Sequence, residues 1–452
     1  MAGPDPPTTP LPTDRMPPGI AYIVSNEAAE RFSFYGMNSI LVVFMTRYLL
    51  DRQGRPDPMT EAQADAWYHT FVSCAYLLPI LGAFLADAVL GKYRTIILLS
   101  VAYCCGHFAL ALDDTRTGLV VGLGLIALGA GGIKPCVSAI VGDQFGPANR
   151  HLLSRVFSWF YFAINLGSAF ATIAIPEILD RAGARLAFAT PGFFMVLATV
   201  VFWLGRHRFV HVPPAGARAY LRSLARRETL TALGRLLVPV PFVAMFWALW
   251  QQNFSSWVVQ AGRMDRHLLG REWLPAQIQT VNPLFILGML PLFSYVVYPA
   301  LERVFRLTAL RKIGLGLFLV VAAFLVVAWI QVRLDAGGHP NIAWQVLAFL
   351  ILTAAEILVS VTHLEFAYIQ APKGMKSLVM CTYLGAISLG NVFTAAVNFL
   401  IQNPDGTVKL SGAPYFFFFA AVMAVTALLF AGVARFFRGL ATGGNSIGSQ
   451  PA

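Results

Sequence analysis

A cluster of ionisable side chains lies in an apolar stretch near the start of the chain. Glu27, Glu30 and Arg31 fall within residues 20–50, and spacings of three and four residues place them on one face of a helix. Glu30 is about ten residues into this stretch, or roughly 15 Å along a helix that rises about 1.5 Å per residue. If the stretch crosses a membrane, the carboxylates lie near the middle of the bilayer.

Charges at this depth are candidates for function, because each costs a few kcal/mol or more in the hydrocarbon region. Two carboxylates beside one guanidinium leave a surplus negative charge, which a low dielectric disfavours and a bound proton removes. We therefore predict that Glu27, Glu30 and Arg31 couple the protein's function to protons. The alternative is a structural ion pair between Glu27 and Arg31 that only stabilises the helix.

Two further charges lie deep in later apolar stretches. Lys134 follows a glycine-rich run and is too far from the start of its stretch to extend easily to the outer membrane surface. We expect it to face a carboxylate, a bound solute or water. Glu356 lies about midway along residues 342–370, and Glu365, nine residues later, points to the opposite helix face. We therefore choose Glu356 as the acid that faces a cavity.

Polar and aromatic side chains accompany these charges along the same stretches. Taken singly, such groups more often make hydrogen bonds between helices than contacts with a ligand. Taken together, they predict a wet pocket that contains acidic and basic groups. The candidates are Tyr35, Asn38, Tyr76, Tyr161, Asn165, Trp247, Gln251 and Asn282.

The composition indicates a membrane protein. Of the 452 residues, 57% are hydrophobic and 12% are charged, and this charged fraction is about half that of soluble domains. The net charge of +11 lies in short segments between apolar stretches, where basic residues set topology and meet anionic lipid. Membrane lipid is therefore an expected partner, and nucleic acid is not.

Apolar stretches of membrane-spanning length recur along the whole chain. Six precede and six follow a basic segment, which predicts an all-α protein of two six-helix bundles around a midplane cavity. The predicted spans are 20–50, 62–90, 94–112, 118–142, 152–179, 187–206, 238–262, 277–301, 308–333, 342–370, 376–402 and 413–437.

These spans divide the chain into five parts. Basic residues in the even-numbered connections place both termini in the cytoplasm. Within the linker, residues 217–235 have the periodicity of an amphipathic helix on the inner leaflet, with an ordinary linker as an equal alternative. The parts are a disordered tail at 1–19, an N-terminal bundle at 20–206, a linker at 207–236, a C-terminal bundle at 237–437 and a second disordered tail at 438–452.

The junction after the second span predicts a charged turn that joins neighbouring helix ends on the cytoplasmic side. It runs from Asp87 through Gly91 and Lys92 to Arg94, so that an acidic group is followed by basic ones. The same order recurs at 302–312, where topology alone would also account for the charges.

At these residues the chain resembles the proton-dependent oligopeptide transporter family of the major facilitator superfamily. The stretch from Glu27 to Gly36 matches the family's ExxERF signature, and further matches follow in family order into the second half. Several motifs in order are far more specific than any one of them. They lie at residues 82–96, 131–136, 142–145, 157–168, 246–249, 282–283, 355–356, 364–366 and 370–372.

The resemblance implies a major facilitator fold of twelve helices and proton-driven import of di- and tripeptides by alternating access. It implies that Glu27, Glu30 and Arg31 are the proton-coupling cluster, and that Arg31 and Lys134 attract the peptide carboxylate. The coupling ion would be the proton, with no cofactor, and no oligomer would be required.

The resemblance also assigns roles to the other candidate side chains. The peptide amino group would be held by Asn165, Asn282 and Glu356. The pocket would be lined by Tyr35, Tyr76, Tyr161 and Trp247. A zwitterionic peptide or amino-acid-like substrate needs a basic and an acidic pole in one cavity, and these charges agree with that need.

Three positions depart from the family's peptide-transporting pattern. Asn38 stands where that pattern has an Arg, Phe34 where it has a Tyr, and Gln251 where it has an acid. Exchange of one cation and one anion for amides preserves charge balance, but it removes a carboxylate-binding group and a partner for Lys134. The alternatives within transport are an amino acid such as histidine, an anion such as nitrate, or export of a drug.

A membrane-embedded enzyme is the main alternative outside transport. The eight histidines show no metal-binding spacing within a span, and no Ser nucleophile motif or phosphate-binding glycine loop occurs. We therefore expect no enzymatic activity and no metal. A transporter-like sensor would need a cytosolic domain or a long signalling tail, and these residues contain neither.

Overall fold

The structure is a computed structural model that describes residues 7–10, 12–227, 234, 237–364, 376–403 and 407–442. Parts of the predicted linker and tails, and the rejected candidate Glu365, lie outside the described residues.

The described residues are almost entirely helical, which confirms the all-α prediction. The first half contains α1 (Ile20–Arg47), α2 (Glu61–Leu77), α3 (Pro79–Phe84), α4 (Lys92–Leu112), α5 (Arg116–Asp143) and α6 (Leu153–Leu204). The linker contains α7 (Ala217–Leu224). The second half contains α8 (Val240–Trp250), α9 (Ser256–Ala261), α10 (Val281–Leu292), α11 (Tyr298–Val304), α12 (Ala309–Asp335), α13 (Ala343–Glu356), α14 (Lys376–Leu400) and α15 (Ala413–Thr442).

Short irregular elements interrupt or join these helices. π-Helical turns extend α3, α10 and α13 at Leu85–Leu90, Phe293–Val297 and Ile357–Val361. Turns of 3₁₀ helix lie at Arg150–Leu152, Gly205–His207, Gln251–Phe254 and Pro275–Thr280. Strands β1 (His267–Leu268) and β2 (Arg271–Glu272) form a small antiparallel hairpin.

Nine helices in the described residues are long and apolar enough to cross a membrane. One of them, Arg150–Leu204, has the length for two crossings and bends at Gly183, where φ is 82°. Divided there, the set becomes ten, and α1 and the α8–α9 stretch lie at the two remaining predicted spans. These stretches correspond one by one to the predicted spans.

The two halves pack as separate bundles that meet along a few helices. α1 packs along α6 and α4 along α5 in the first half, whereas α12 packs with α13 and α15 in the second. α14 crosses to pack against α2, and α10 packs against α6. The faces are named here for the predicted orientation. The outer face carries residues 48–60, 113–115, 262–274, 336–342 and 401–403, and the inner face carries residues 143–152 and 205–216.

Side chains of the loops fix helix ends at the outer face. Thr60 and Gln63 form a reciprocal capping box at the start of α2, with N–H···O distances of 3.2 and 3.1 Å. Asp265, in the loop before β1, accepts hydrogen bonds from the Asn341 amide and the His267 backbone N–H. These bonds lower the pKa of Asp265 to about 2, so the carboxylate stays ionised and holds this loop against α13.

One predicted boundary and the predicted disorder of the first tail need correction. α15 continues to Thr442, five residues past the predicted end at 437, because the sequence keeps helix-forming residues there. In the first tail, the Pro7 carbonyl accepts a hydrogen bond from the His211 N–H at 2.8 Å, and the Arg15 carbonyl accepts one from Asn149. The described part of this tail therefore packs on the inner face, contrary to the prediction of disorder.

The packing of α3 on α5 depends on two glycines. A Cβ atom at Gly82 would lie 2.3 Å from the carbonyl oxygen of Gly132. Since such a distance is far below van der Waals contact, only glycine allows the two backbones to approach this closely. The approach brings α5, which carries Lys134, against α2 and α3.

We expect Gly82→Val to force α3 away from α5 and to destabilise the protein by roughly 1–3 kcal/mol or more, as overpacking does. Gly124→Val is the matched control, since nothing lies within 4 Å of a Cβ atom at Gly124 in α5. Thermal unfolding of both variants in detergent measures the effect. Equal melting temperatures would contradict the proposed role of the contact.

Candidate functional site

α1 brings the predicted charged cluster together in the interior. Arg31 Nε lies 3.0 Å from Glu27 Oε1 and 2.5 Å from Glu30 Oε2. All three side chains are buried. One guanidinium therefore faces two carboxylates, as the spacing of three and four residues predicts, and the cluster carries a surplus negative charge when both acids are ionised.

Lys134 of α5 lies beside this cluster but is bound differently. Its Nζ is 4.2 Å from the ring centroid of Phe34 and 3.7 Å from that of Tyr76. Within the described ranges this Nζ is buried without a hydrogen-bond partner. Cation–π contacts stabilise an ammonium without neutralising it, so Lys134 keeps its capacity to bind an anion. The Phe at position 34, a departure from the family pattern, provides one of the two rings.

Glu356, the last residue of α13, is the acidic group of the second half. Its Oε2 accepts hydrogen bonds from Asn282 Nδ2 at 2.8 Å and from Trp250 Nε1 at 3.0 Å. Both neutral donors bind the same oxygen, so they fix the carboxylate in place and leave Oε1 for another donor. The π-helical turn Ile357–Val361 follows directly, and such turns are frequent at functional sites.

Aromatic side chains connect the acidic and basic groups. Tyr35 lies one turn after Arg31 on α1 and stacks on Phe254, with ring centroids 6.2 Å apart. Phe254 in turn lies 5.9 Å from Trp250, whose indole N–H binds Glu356. The two charges, which belong to opposite halves, therefore flank one site. Trp247 is also buried and lies edge-on against Trp250 and Tyr383.

Asn165 and Asn38 form hydrogen bonds with neutral groups rather than with the charged side chains. Asn165 Nδ2 donates to the Tyr161 carbonyl of its own helix at 2.9 Å, so its amide is not bound to Glu356 as that of Asn282 is. Asn38 Nδ2 donates to the Tyr68 hydroxyl at 3.2 Å. Gln251 is buried in the 3₁₀ turn after α8.

The predicted charged turn joins helix ends at the inner face. Lys92 Nζ lies 2.6 Å from Asp143 Oδ2, which ties the start of α4 to the end of α5. Gly91 has a φ of 80°, which favours glycine. The Asp87 carbonyl accepts a hydrogen bond from Ala215 N–H at 2.8 Å. The acid that pairs with Lys92 is therefore Asp143 rather than Asp87.

Polar contacts join the two halves on the side of the site toward the outer face. We call them the outer closure. Ion pairs lie at its rim, and hydrogen bonds between neutral groups lie deeper. The pairs are Glu61 with Arg263, Glu177 with Arg271, Thr172 with Thr280, His69 with Asn391 and Ser73 with Ser388.

Comparison with known proteins identifies the family. A sequence profile of the POT family matches residues 93–226 and 218–413. The chain belongs to the POT family. It is 37% identical over 372 residues to peptide transporter family 1 of Drosophila melanogaster, in a match that covers 72% of this chain and 49% of that protein. The chain thus spans about half the length of the curated relatives it matches.

Solved POT structures share the fold over nearly the whole chain. The POT family transporter PepTSo superposes with a TM-score of 0.85 at 35% identity, covering 94% of this chain and 99% of the other. An auto inhibited POT family peptide transporter superposes with a TM-score of 0.83 at 36% identity, covering 96% and 99%. The major facilitator fold predicted from the sequence is therefore confirmed.

Three further residues of this POT protein belong to the site but were not among the predicted ones, namely Trp250, Phe254 and Tyr383. Trp250 fills the aromatic position after Phe246-Trp-Ala-Leu249, and its indole N–H reaches Glu356 because α8 contacts the π-helical turn that follows α13. Tyr383 binds Ser360 at 2.7 Å. A tyrosine or tryptophan inside an apolar span could have indicated Trp250 and Tyr383 as site residues, because a buried Nε1–H or hydroxyl needs a hydrogen-bond partner.

No group of three or more His, Cys, Asp or Glu side chains in the described residues is arranged to hold a metal ion. The central site consists of carboxylates, two cations and aromatic rings. This arrangement can bind a solute that carries both charges, and it can exchange a proton at Glu27 or Glu30.

We expect Arg31→Met to destabilise the protein at neutral pH by roughly 3–5 kcal/mol, because it leaves two buried carboxylates without their cation. The loss should shrink as the pH falls, since protonation removes the unpaired charges. Melting temperatures at pH 7.5 and pH 5 measure this. The control is the triple variant Glu27→Gln, Glu30→Gln, Arg31→Met, which should show no such recovery; a pH-independent loss in the single variant would contradict the interpretation.

Proposed function

We propose that this chain is a proton-coupled symporter that imports di- and tripeptides by alternating access through a central cavity. The POT family membership supports this, as do the names of relatives that are called peptide transporters. Because the chain spans about half of its curated relatives' length, the activity is inferred from its own site.

The observation that carries the proposal is the position of the two poles. Lys134 and Arg31 belong to the first half, and Glu356 belongs to the second. Lys134 Nζ is without a hydrogen-bond partner in the described ranges, and Glu356 has one carboxylate oxygen beyond its two donors. A peptide with a free carboxylate and a free ammonium matches both groups at once and bridges the halves.

Arg31 links the binding of the proton to the binding of the peptide. When both Glu27 and Glu30 are ionised, the guanidinium is held between them. A proton on Glu30 removes the closer of the two charges, so that Arg31 can turn part of its binding capacity to the peptide carboxylate. Proton and peptide then favour each other's binding, as linkage requires of coupled ligands.

The arrangement of contacts supports a transporter that is closed on one side. The outer closure holds the halves together, and its pairs are short polar contacts that can separate and form again. In the proposed orientation the inner face and both termini are cytoplasmic and the protein lies in the cell membrane, surrounded by lipid. Both poles come from one chain, so the proposal requires no oligomer and no cofactor.

The amides at Asn38 and Gln251 keep a second substrate class under consideration. They replace a cation and an acid of the family's peptide pattern, which favours an amino acid such as histidine or an anion such as nitrate as the alternative. Between these two, Glu356 favours the amino acid, because a carrier of simple anions has no use for a fixed carboxylate in its cavity. A membrane-embedded enzyme is the non-transport alternative, and the relatives are named as transporters.

The proposal is tested with purified protein in liposomes that have an alkaline interior. Labelled di-alanine is followed, with tri-alanine, histidine and nitrate as competitors. Uphill uptake that collapses with a protonophore supports a peptide symporter. Coupled movement of histidine or nitrate without peptide uptake would replace the substrate and retain the proton cluster.

We expect Glu30→Gln to abolish uphill accumulation of di-alanine while exchange of labelled for unlabelled peptide continues. The amide cannot give up a proton, but the cavity remains. Both assays are made on the same liposomes, so exchange serves as the control for folding and insertion. Full uphill transport by the variant would exclude Glu30 as the coupling group.

We expect Glu356→Gln to raise the KM for di-alanine roughly tenfold to hundredfold, because a hydrogen bond to a charged group contributes about 1.5–3 kcal/mol. Competition by N-acetylated di-alanine, which has no ammonium group, should be nearly unchanged. If N-acetylated and free di-alanine compete equally well for uptake by the parent protein, Glu356 does not bind the amino terminus.

A further inference from the structure

Two arginines at the inner face lack the acidic partners that several arginines of the outer face have. Arg263, for example, is paired with Glu61 at the outer face. Arg206 and Arg208, which follow the end of α6, form no ion pair within the described ranges of the chain. Residues 181–227 contain no Asp or Glu. An anion from outside the chain is therefore the partner that these two charges favour.

Both arginines lie over aromatic rings. Arg206 Cζ is 3.9 Å from the ring centroid of Trp203, and Arg208 Cζ is 5.4 Å from that of Tyr22 on α1. Arg206 also donates from Nη1 to the Trp203 carbonyl, 3.1 Å away. A guanidinium has five N–H donors, and contact with a ring orients it without neutralising its charge. The two guanidinium groups are therefore held in place with donors left for an anion.

The chain at Gly205 brings the two arginines to one place. A Cβ atom at Gly205 would lie 2.9 Å from the Tyr22 Cβ and 2.4 Å from Phe209 Cζ. The turn that carries Arg206 and Arg208 thus lies directly against the start of α1. Because one arginine rests on the end of α6 and the other on the start of α1, their charges act on the same small region of the inner face.

Other groups beside this turn add positive charge and do not neutralise it. Arg94, in the first turn of α4, is exposed, and its neighbour Tyr93 packs against His211 with ring centroids 4.8 Å apart. His211 donates from Nε2 to the Arg206 carbonyl at 3.0 Å, which joins the start of α4 to the same turn. Neither α1 nor α4 has an acidic residue in its first turn. The region therefore has a net positive charge.

The side of α6 that leads to this region is apolar and exposed. Leu197, Val200 and Leu204 are exposed at spacings of three and four residues, so they lie on one face of the helix. Trp203, at the end of the same helix, is 47% exposed, and tryptophan at the end of a span is typical of the level of lipid headgroups. A basic region thus continues into an apolar strip, which is the order of charge and hydrocarbon in a phospholipid.

We propose that the end of α6 and the start of α1 form a binding site for one phospholipid with an anionic headgroup. Arg206 and Arg208 bind the headgroup, and its acyl chain lies along the strip of Leu197, Val200 and Leu204. A soluble phosphate matches only the basic part, and a zwitterionic lipid gains less from it, because each basic residue near the surface favours net negative charge. The site belongs entirely to the first half, so it is independent of the proposed transport function.

The experiment maps the lipid on the full-length protein in neutral detergent. A photoactivatable phosphatidylglycerol with a diazirine in its acyl chain is crosslinked, and mass spectrometry identifies the labelled peptides. The peptide that contains residues 197–204 should be labelled. Unlabelled phosphatidylglycerol should compete at least about tenfold better than phosphatidylcholine with the same acyl chains. In the double variant Arg206→Gln, Arg208→Gln its apparent affinity should fall roughly thirtyfold, since each basic residue contributes about fivefold.

Controls distinguish this site from general charge attraction and from a site for free anions. The double variant Arg52→Gln, Arg55→Gln removes the same charge from exposed positions on the outer face and should keep the labelling of α6. If the first double variant folds poorly, Arg208→Gln alone should lower the affinity roughly fivefold. Equal competition by phosphatidylcholine, or unchanged affinity in either variant that lacks Arg208, would overturn the proposal. Glycerol phosphate that competes as well as phosphatidylglycerol would assign the site to a free anion and overturn it too.

Discussion

Burial of charge in an apolar interior is the constraint on which the rest of this structure depends. The protein meets it in three ways. Arg31 is paired with two carboxylates, Lys134 lies over two aromatic rings, and Glu356 is held by two neutral donors. The first arrangement has an excess of negative charge, and the other two keep a net charge that a solute can neutralise. In the proposed function, the energetic cost of burial is also the source of affinity for a proton and for a zwitterion.

The contacts between the halves avoid buried charge instead of using it. Deep in the outer closure the partners are neutral, as in Ser73 with Ser388 and Thr172 with Thr280, and ion pairs are kept for the rim. A neutral hydrogen bond contributes only about 0.5–1.5 kcal/mol net, because water replaces it when the contact opens. A closure built from such bonds can hold one arrangement without making it permanent, which alternating access requires.

The sequence predicted those parts of the site that a single helix determines. The cluster on α1 follows from helical spacing, and the depth of Lys134 follows from its position in a span. Contacts between helices were not predictable in this way. Trp250 and Glu356 are 106 residues apart, and the rings over Lys134 come from α1 and α2. α1, predicted as the span 20–50, is less apolar than the nine helices that are clearly long and apolar enough to cross, because it contains Glu27, Glu30 and Arg31.

The exchange of two charges for amides is best understood from the packing of α1 against the turn after α8. Asn38 and Gln251 are both buried, and Asn38 donates to the neutral Tyr68 hydroxyl. Loss of only one of the two would have changed the net charge of this buried region by one unit, which a low dielectric disfavours. Loss of both preserves the charge balance. In the proposed function, the charges that remain on Lys134 and Glu356 are the ones that select the solute, and fewer fixed charges compete for its two ends.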